Sequence, residues 1–116
     1  IFLAGFSQGG AVAYAAGLNS PRRLGGIVAL STYIASEAAL AGACRDDVPL
    51  FAAHGSDDNV VAPALGRRAY AFARSQGIAV AEWHEYPMAH QVCLEEIREL
   101  GGWLVQRLLA EPAVGG

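Results

Sequence analysis

A serine lies between two glycines where an apolar run, residues 1–4, gives way to an alanine-rich run typical of a helix: Gly5-Phe6-Ser7-Gln8-Gly9. A turn from strand to helix within one or two residues strains the serine backbone and exposes its hydroxyl. Side chains two residues before and after the serine would collide there, so we expect both Gly5 and Gly9 to be required. The segment predicts a nucleophilic Ser7, and the alternative is an ordinary helix N-cap.

The composition of the chain limits what it can do. With 116 residues, 53% hydrophobic and 16% charged, it is a core-forming segment of at most one domain. The net charge of −3 argues against nucleic-acid partners, and no apolar run approaches the roughly 18 residues of a membrane span. Cys44 and Cys93 are too few for a disulfide framework and fit no metal-ligand spacing. We therefore expect reduced thiols, and a cytoplasmic location is a further expectation.

Strand and helix patterns alternate along the chain. Apolar or alternating runs predict strands at residues 1–4, 24–31, 49–55 and 78–86. Helices are predicted at residues 8–18, from Pro63 to a stop at Gly77, and near the end of the chain. Residues 32–48 are predicted to form a long loop that can include a short helical turn. The last helix has an apolar stripe, which consists of Cys93, Ile97, Leu100, Leu104 and Leu108. Glu95 and Glu96 are among the residues expected to face away from this stripe. This order predicts an α/β fold with a parallel sheet and flanking helices.

Three residues with acyl-transfer chemistry follow three different predicted strands: Ser7, then Asp57 or Asp58, then His90. Chemistry in an open parallel sheet collects at the carboxyl ends of the strands. The order of nucleophile, acid and histidine is the one expected for an α/β-hydrolase.

Each residue type has a task in such a site. A hydroxyl is a weak nucleophile, so the imidazole of His90 must take its proton and later return it to the leaving group. A buried carboxylate on the other ring nitrogen, assigned to Asp58 with Asp57 as the alternative, fixes the tautomer. The backbone N–H of Gln8, at the start of a helix, is suited to bind the oxyanion.

Other residues with similar chemistry are weaker candidates. His54, just before a strand-end glycine, is expected to be structural, and His84, in an alternating strand, is expected to be exposed. Cys93 lies on the apolar stripe of the last helix and is expected to be a buried thiol. Cys44 lies in the long loop with no partner base in the sequence.

Four blocks of sequence together resemble the carboxylesterase, lysophospholipase and acyl-protein thioesterase family of α/β-hydrolases, and in particular its bacterial carboxylesterases. The resemblance runs to about residue 109. The blocks are Gly5-Phe6-Ser7-Gln8-Gly9-Gly10, Leu30-Ser31-Thr32-Tyr33, His54-Gly55-Ser56-Asp57-Asp58-Asn59-Val60-Val61 and Tyr86-Pro87-Met88-Ala89-His90.

The resemblance implies a function and its residues. Family members are cofactor-free hydrolases of ester or thioester bonds, and their nucleophile, acid and histidine fall on Ser7, Asp58 and His90. It also implies that Tyr33, Ile34 and Met88 line an acyl groove, with plain core packing as the alternative. The expected partner is a small ester or thioester, and the sequence indicates no oligomeric state.

The resemblance further implies that residues 1–110 are the C-terminal portion of one α/β-hydrolase domain whose N-terminal half is absent, with residues 111–116 as a tail. The absent half would hold the loop with a second oxyanion donor. We therefore expect the segment alone to be inactive or nearly so, with its first strand an unpaired edge prone to association. The candidate functions are a serine carboxylesterase, an acyl-protein thioesterase or lysophospholipase, and a non-catalytic relic of a hydrolase.

Overall fold

The computed structural model describes residues 1–110 and contains one sheet of four parallel strands. The strands are β1 (Phe2–Phe6), β2 (Gly26–Leu30), β3 (Leu50–Gly55) and β4 (Ala81–Tyr86). Each strand pairs with the next one along the chain, so the order in the sheet is β1-β2-β3-β4. The predicted parallel α/β architecture is confirmed.

Three helices lie in the connections between strands, as parallel pairing requires, and a fourth follows the last strand. They are α1 (Gln8–Leu18), α2 (Glu37–Leu40), α3 (Pro63–Ser75) and α4 (Leu94–Ala110). Helix α3 begins with Pro63 at its first turn and is followed by Gly77 at φ 108°, as the sequence predicts. The short helix α2 lies within the predicted long loop, and the Ser36 hydroxyl caps it by accepting from the Ala39 N–H.

The sheet is covered on both faces, which explains the continuous apolar runs of β2 and β3. Helices α1 and α3 contribute to one core, and α4 contributes to the other. The first core includes Tyr14, Leu18, Ile27, Ala29, Leu50, Ala52, Ala69 and Ala73. The second includes Val28, Phe51, Ala53, Tyr86, Met88 and Trp103. Alternate residues of β2 and β3 thus point to opposite faces.

The buried side of α4 differs from the predicted stripe. Ile97 and Leu108 are exposed, whereas Glu96 and Trp103 are buried, so the expectation that Glu96 faces away is wrong. The Trp103 ring packs 5.7 Å from that of Phe51, between ring centroids. Burying this large aromatic surface determines which side of the helix meets the sheet.

Two element boundaries also moved. Strand β1 continues to Phe6 because its pairing with β2 extends to Leu30. Strand β4 starts at Ala81 rather than at residue 78, because the three preceding residues lead into the strand without being part of it. The Val80 carbonyl in this segment accepts from the Leu50 N–H.

The predicted tail at residues 111–116 lies outside the described residues. Within residues 1–110, no helix has the length and apolarity to cross a bilayer.

Candidate active site

Ser7 lies at the turn between β1 and α1, with a strained backbone at φ 56° and ψ −122°. A Cβ added to Gly5 would lie 2.1 Å from the Gly9 carbonyl oxygen, so only glycine fits at that position. A Cβ added to Gly9 would meet nothing within 4 Å in the described residues, so the expected collision at Gly9 is wrong. The crowding falls on Gly5 because the backbone of Gly9 folds back over it.

The start of α1 is anchored to the strand beside it. The Ser7 N–H donates to the Leu30 carbonyl at 2.9 Å. The Thr32 hydroxyl donates to the Ser7 carbonyl at 2.5 Å. Gln8 is the first residue of α1, so its backbone N–H lies at the positive end of the helix dipole. An anion beside Ser7 would be stabilised there.

Asp58 lies in the loop after β3, and its side chain is fully buried. Its Oδ1 accepts from the N–H groups of Val60 and Val61, each at 2.8 Å. Burial alone would raise the pKa of Asp58, but the hydrogen bonds from His90 and from these two N–H groups lower it below its usual 3.8. The loop therefore holds an ionised carboxylate with Oδ2 facing the neighbouring strand end.

His90 follows β4 and joins the other two residues. Its Nδ1 lies 2.7 Å from Asp58 Oδ2, and its Nε2 lies 3.0 Å from Ser7 Oγ. Because Asp58 can only accept, the hydrogen lies on Nδ1 and leaves Nε2 free to take the Ser7 proton. The ring of Phe6 packs beside the imidazole, with 4.8 Å between ring centroids. The structure thus brings together the three residues that the sequence singles out.

The loop that carries His90 is fixed against the loop that carries Asp58. The Ser56 N–H donates to the Tyr86 carbonyl at 2.8 Å, and the Asp57 N–H donates to the Met88 carbonyl at 3.0 Å. A Cβ added to Gly55 would lie 2.3 Å from that same Met88 carbonyl oxygen. Gly55 therefore allows the two loops to cross at contact distance, which sets the spacing of acid and imidazole.

A groove of about 480 Å³ opens between the loop after β2 and helix α3. Tyr33 and Ile34 line it, whereas Ser7, Asp58 and His90 are not among its lining residues, so an acyl-binding role for Tyr33 and Ile34 stays a prediction. Met88 does not line the groove: its side chain is buried in the second core, as in the core-packing alternative. The residues that line the groove are Tyr33, Ile34, Ala35, Ser36, Glu37, Ala38, Leu65, Arg68 and Ala69.

The competing histidines and the alternative acid lie elsewhere. His54 is completely buried and bonds the Val61 carbonyl through Nε2 at 2.8 Å. His84 is half-buried, and its ring stacks 5.0 Å from that of Phe51, so the expectation that it is exposed is wrong. The side chain of Asp57 is exposed. None of these three makes a hydrogen bond to His90 among the described residues.

The two cysteines are free and half-buried. Cys44 donates its thiol hydrogen to the Leu40 carbonyl at 3.3 Å, and burial raises the pKa of that thiol. Cys93 packs against the second core just before α4, so it is less buried than expected. In the part of the chain that the structure describes, no group of three His, Cys, Asp or Glu side chains could hold a metal ion.

Several supporting residues were not evident from the sequence. Phe6 beside His90, Thr32 on the Ser7 carbonyl and the crossing at Gly55 all arise from contacts between separate strand ends. Gly55 had a local signal, because a glycine within a buried strand often marks a close backbone approach. Phe6 occupies a position of the Gly-x-Ser-x-Gly pattern that is open to any residue type, and Thr32 is a residue type common in loops. Neither therefore has a signal of its own in the sequence.

The strand order and the placement of these three side chains at the strand ends define a partial α/β-hydrolase fold. The model of the phospholipase/carboxylesterase family matches residues 1–106. The chain belongs to that family, which confirms the resemblance seen in the sequence.

Relatives and solved structures agree with this assignment. The chain is 37% identical to acyl-protein thioesterase 1 of Mycosarcoma maydis, over 96% of this chain and 49% of that protein. It superimposes on the crystal structure of Arabidopsis thaliana SOBER1 with a TM-score of 0.85 and 30% identity, covering 92% of this chain and 52% of that one. For esterase PE8 the TM-score is 0.84 at 27% identity, with 90% and 49% covered. The chain thus spans about half the length of these relatives.

Proposed function

We propose that Ser7, His90 and Asp58 are the catalytic triad of a serine carboxylesterase that hydrolyses carboxylic esters through an acyl-enzyme. The hydrogen-bonded series from Ser7 Oγ through the His90 imidazole to Asp58 Oδ2, at 3.0 and 2.7 Å, carries this proposal. The family's hydrolase activity supports it. The substrate is a small ester.

In the first half of the reaction, His90 Nε2 takes the Ser7 proton as Oγ attacks the ester carbonyl carbon. The resulting imidazolium is stabilised by the Asp58 carboxylate. The tetrahedral intermediate collapses, the C–O bond to the alcohol breaks, and His90 returns the proton to the alcohol oxygen. An acyl group is left on Ser7.

In the second half, water gives a proton to His90 as its oxygen attacks the acyl carbon, and the bond to Ser7 breaks as that proton returns to Oγ. The backbone N–H of Gln8 binds the oxyanion in both halves. Acyl transfer of this kind uses two such donors. The chain spans about half the length of the relatives it matches, and we propose that the second donor belongs to the part of the fold that those relatives have in addition. The chain alone should therefore hydrolyse esters slowly or not at all.

A thioesterase acting on lipid-derived acyl chains is the second candidate, together with a lysophospholipase. It is favoured by the 37% identity to a protein named acyl-protein thioesterase 1. The two are separated by comparing hydrolysis of matched esters and thioesters of short and long acyl chains. A preference for long-chain thioesters would favour the second candidate, whereas faster cleavage of short-chain esters would favour the first. The third alternative, a non-catalytic relic, is opposed by the hydrogen bonds between all three triad members.

The direct test is hydrolysis of a short aryl ester by the full-length protein, its Ser7→Ala variant and a control variant, Ser20→Ala. Ser20 is half-buried, and its hydroxyl bonds only to the backbone of Arg22 among the described residues. We expect the Ser7 variant to lose at least about 10³-fold in kcat, since triad members act as a unit. The Ser20 variant should match the parent. Equal activity of all three proteins would show that Ser7 is not the nucleophile.

A further inference from the structure

A second histidine, His54, lies directly beneath the acid of the proposed triad. It is the penultimate residue of β3, and its side chain is completely buried. The ring is seated against α3, where a Cβ added to Gly66 would come within 2.3 Å of His54 Nδ1. The ring of Trp83 stacks beside it at 6.2 Å between centroids. The fold thus contains a slot shaped for this imidazole.

The hydrogen bonds of His54 fix which nitrogen carries the hydrogen. Its Nε2 lies 2.8 Å from the Val61 carbonyl oxygen, which can only accept. Its Nδ1 is buried and has no hydrogen-bond partner in the described residues. We therefore assign the hydrogen to Nε2, which makes His54 a donor to the backbone of the loop after β3.

The peptide groups on either side of Val61 connect the two side chains. The Val61 N–H donates to Asp58 Oδ1 at 2.8 Å, and the Val61 carbonyl accepts from His54 Nε2 at 2.8 Å. The same Nε2 also lies 3.4 Å from Asp58 Oδ2. The positive end of the Nε2–H dipole therefore attracts the carboxylate. Holding Val61 therefore holds the carboxylate, with Oδ2 turned toward His90.

We propose that His54 is a positioning residue for the proposed triad: it anchors the turn at Val61 so that Asp58 presents Oδ2 to His90 Nδ1. It touches neither substrate nor reacting atoms, and it acts through the loop. This proposal rests on the proposed function, in which Asp58 orients His90.

The test compares His54→Leu, which fills the slot without a donor, with His54→Gln, whose amide nitrogen can reach the Val61 carbonyl. His84→Gln on the opposite face of the sheet is the control. We expect His54→Leu to lower kcat by about 10- to 100-fold with little change in KM, the usual effect of losing an outer partner of a functional group. His54→Gln should retain most of the activity, and His84→Gln all of it.

The pH profile separates positioning from plain packing. A displaced Asp58 stabilises the His90 imidazolium less, so the acid limb of kcat/KM should move to lower pH in His54→Leu only. Thermal unfolding checks that each variant is folded. If His54→Leu does not fold, His54→Gln is compared with the parent alone, and a shift of its acid limb with lost activity would overturn the proposal. A folded His54→Leu with the parental kcat and acid limb would overturn it as well.

A readout without catalysis keeps this test separate from the proposed function. In nitrogen NMR spectra, the His90 Nδ1–H signal should report a strong bond to Asp58 in the parent and a weaker one in His54→Leu. If the parent hydrolyses no ester, the proposed function fails while this comparison still decides the role of His54. An unchanged His90 signal in the variant would contradict that role.

Discussion

Two buried carboxylates, Asp58 after β3 and Glu96 in α4, have opposite surroundings. Asp58 accepts hydrogen bonds from two backbone N–H groups and from His90, and they lower its pKa despite burial. Glu96 is completely buried, and neither carboxylate oxygen has a well-aligned hydrogen bond within the described residues. Burial raises the pKa of Glu96, and the nearby Cys93 N–H offsets only part of the rise. Hydrogen bonds, rather than exposure, decide where the fold keeps a buried negative charge.

The largest effect should come from removing the charge that the fold supports. Asp58→Asn puts a neutral amide opposite His90 Nδ1, so the imidazole is no longer held in the tautomer with its hydrogen on Nδ1. The substitution should lower kcat by about 10⁴-fold, as the equivalent change does in other serine hydrolase triads. Asp57→Asn, at the adjacent exposed aspartate, is the control and should change kcat little. Steady-state ester hydrolysis measures both. Similar losses in the two variants would mean that the choice of Asp58 is wrong.

The Asp58 carboxylate should also make the stability of the folded protein depend on pH. The pKa of Asp58 is lower in the folded protein than its usual 3.8, so the stabilisation is fully present above pH 3.8 and is lost as the pH falls through the folded value. The free energy of unfolding of the parent should therefore fall more than that of Asp58→Asn between pH 5 and pH 3. The difference should be about 1 kcal/mol for each unit by which folding lowers the pKa of Asp58. Urea unfolding at several pH values measures this. Parallel curves for parent and variant would contradict the prediction.

The smallest effect should come from Glu96, with the opposite sign. Its pKa is raised above 4.5 in the folded state, so the folded protein holds that proton longer and loses stability as the pH rises through the folded value. Glu96→Gln should therefore unfold less readily at pH 7, by on the order of 1 kcal/mol, and the gain should vanish below pH 4.5. Glu95→Gln, on the exposed side of the same turn, is the control. A destabilised Glu96→Gln would show that the charge has a partner.

The sequence was enough to predict that Ser7, Asp58 and His90 lie close together, and their catalytic roles stay a prediction. Glycines around Ser7 mark the turn, and parallel strands must end at one edge, so residues after β1, β3 and β4 meet there. The acid was assigned to Asp58 with Asp57 as the alternative, and the family resemblance favours Asp58. The hydrogen bonds of Val60 and Val61 support this assignment, because they turn Asp58 inward.

The sequence was insufficient where two patterns overlap. The spacing of apolar residues in helix α4 predicts a stripe through Ile97, Leu100 and Leu104, whereas the buried side contains Glu96, Leu100 and Trp103. The two sides share Leu100, so periodicity alone does not separate them. The area of the Trp103 ring decides between them, and Glu96 is buried with it. A similar limit applies to Met88, because a pattern cannot tell whether an apolar loop residue faces a groove or the core.

Labelling of the full-length protein by a fluorophosphonate, with the modified residue mapped by mass spectrometry of its peptides, examines the proposed nucleophile itself. We expect one adduct, on Ser7, that forms slowly in Asp58→Asn and does not form in Ser7→Ala. An adduct on another residue, or none from a protein that still hydrolyses esters, would contradict this expectation.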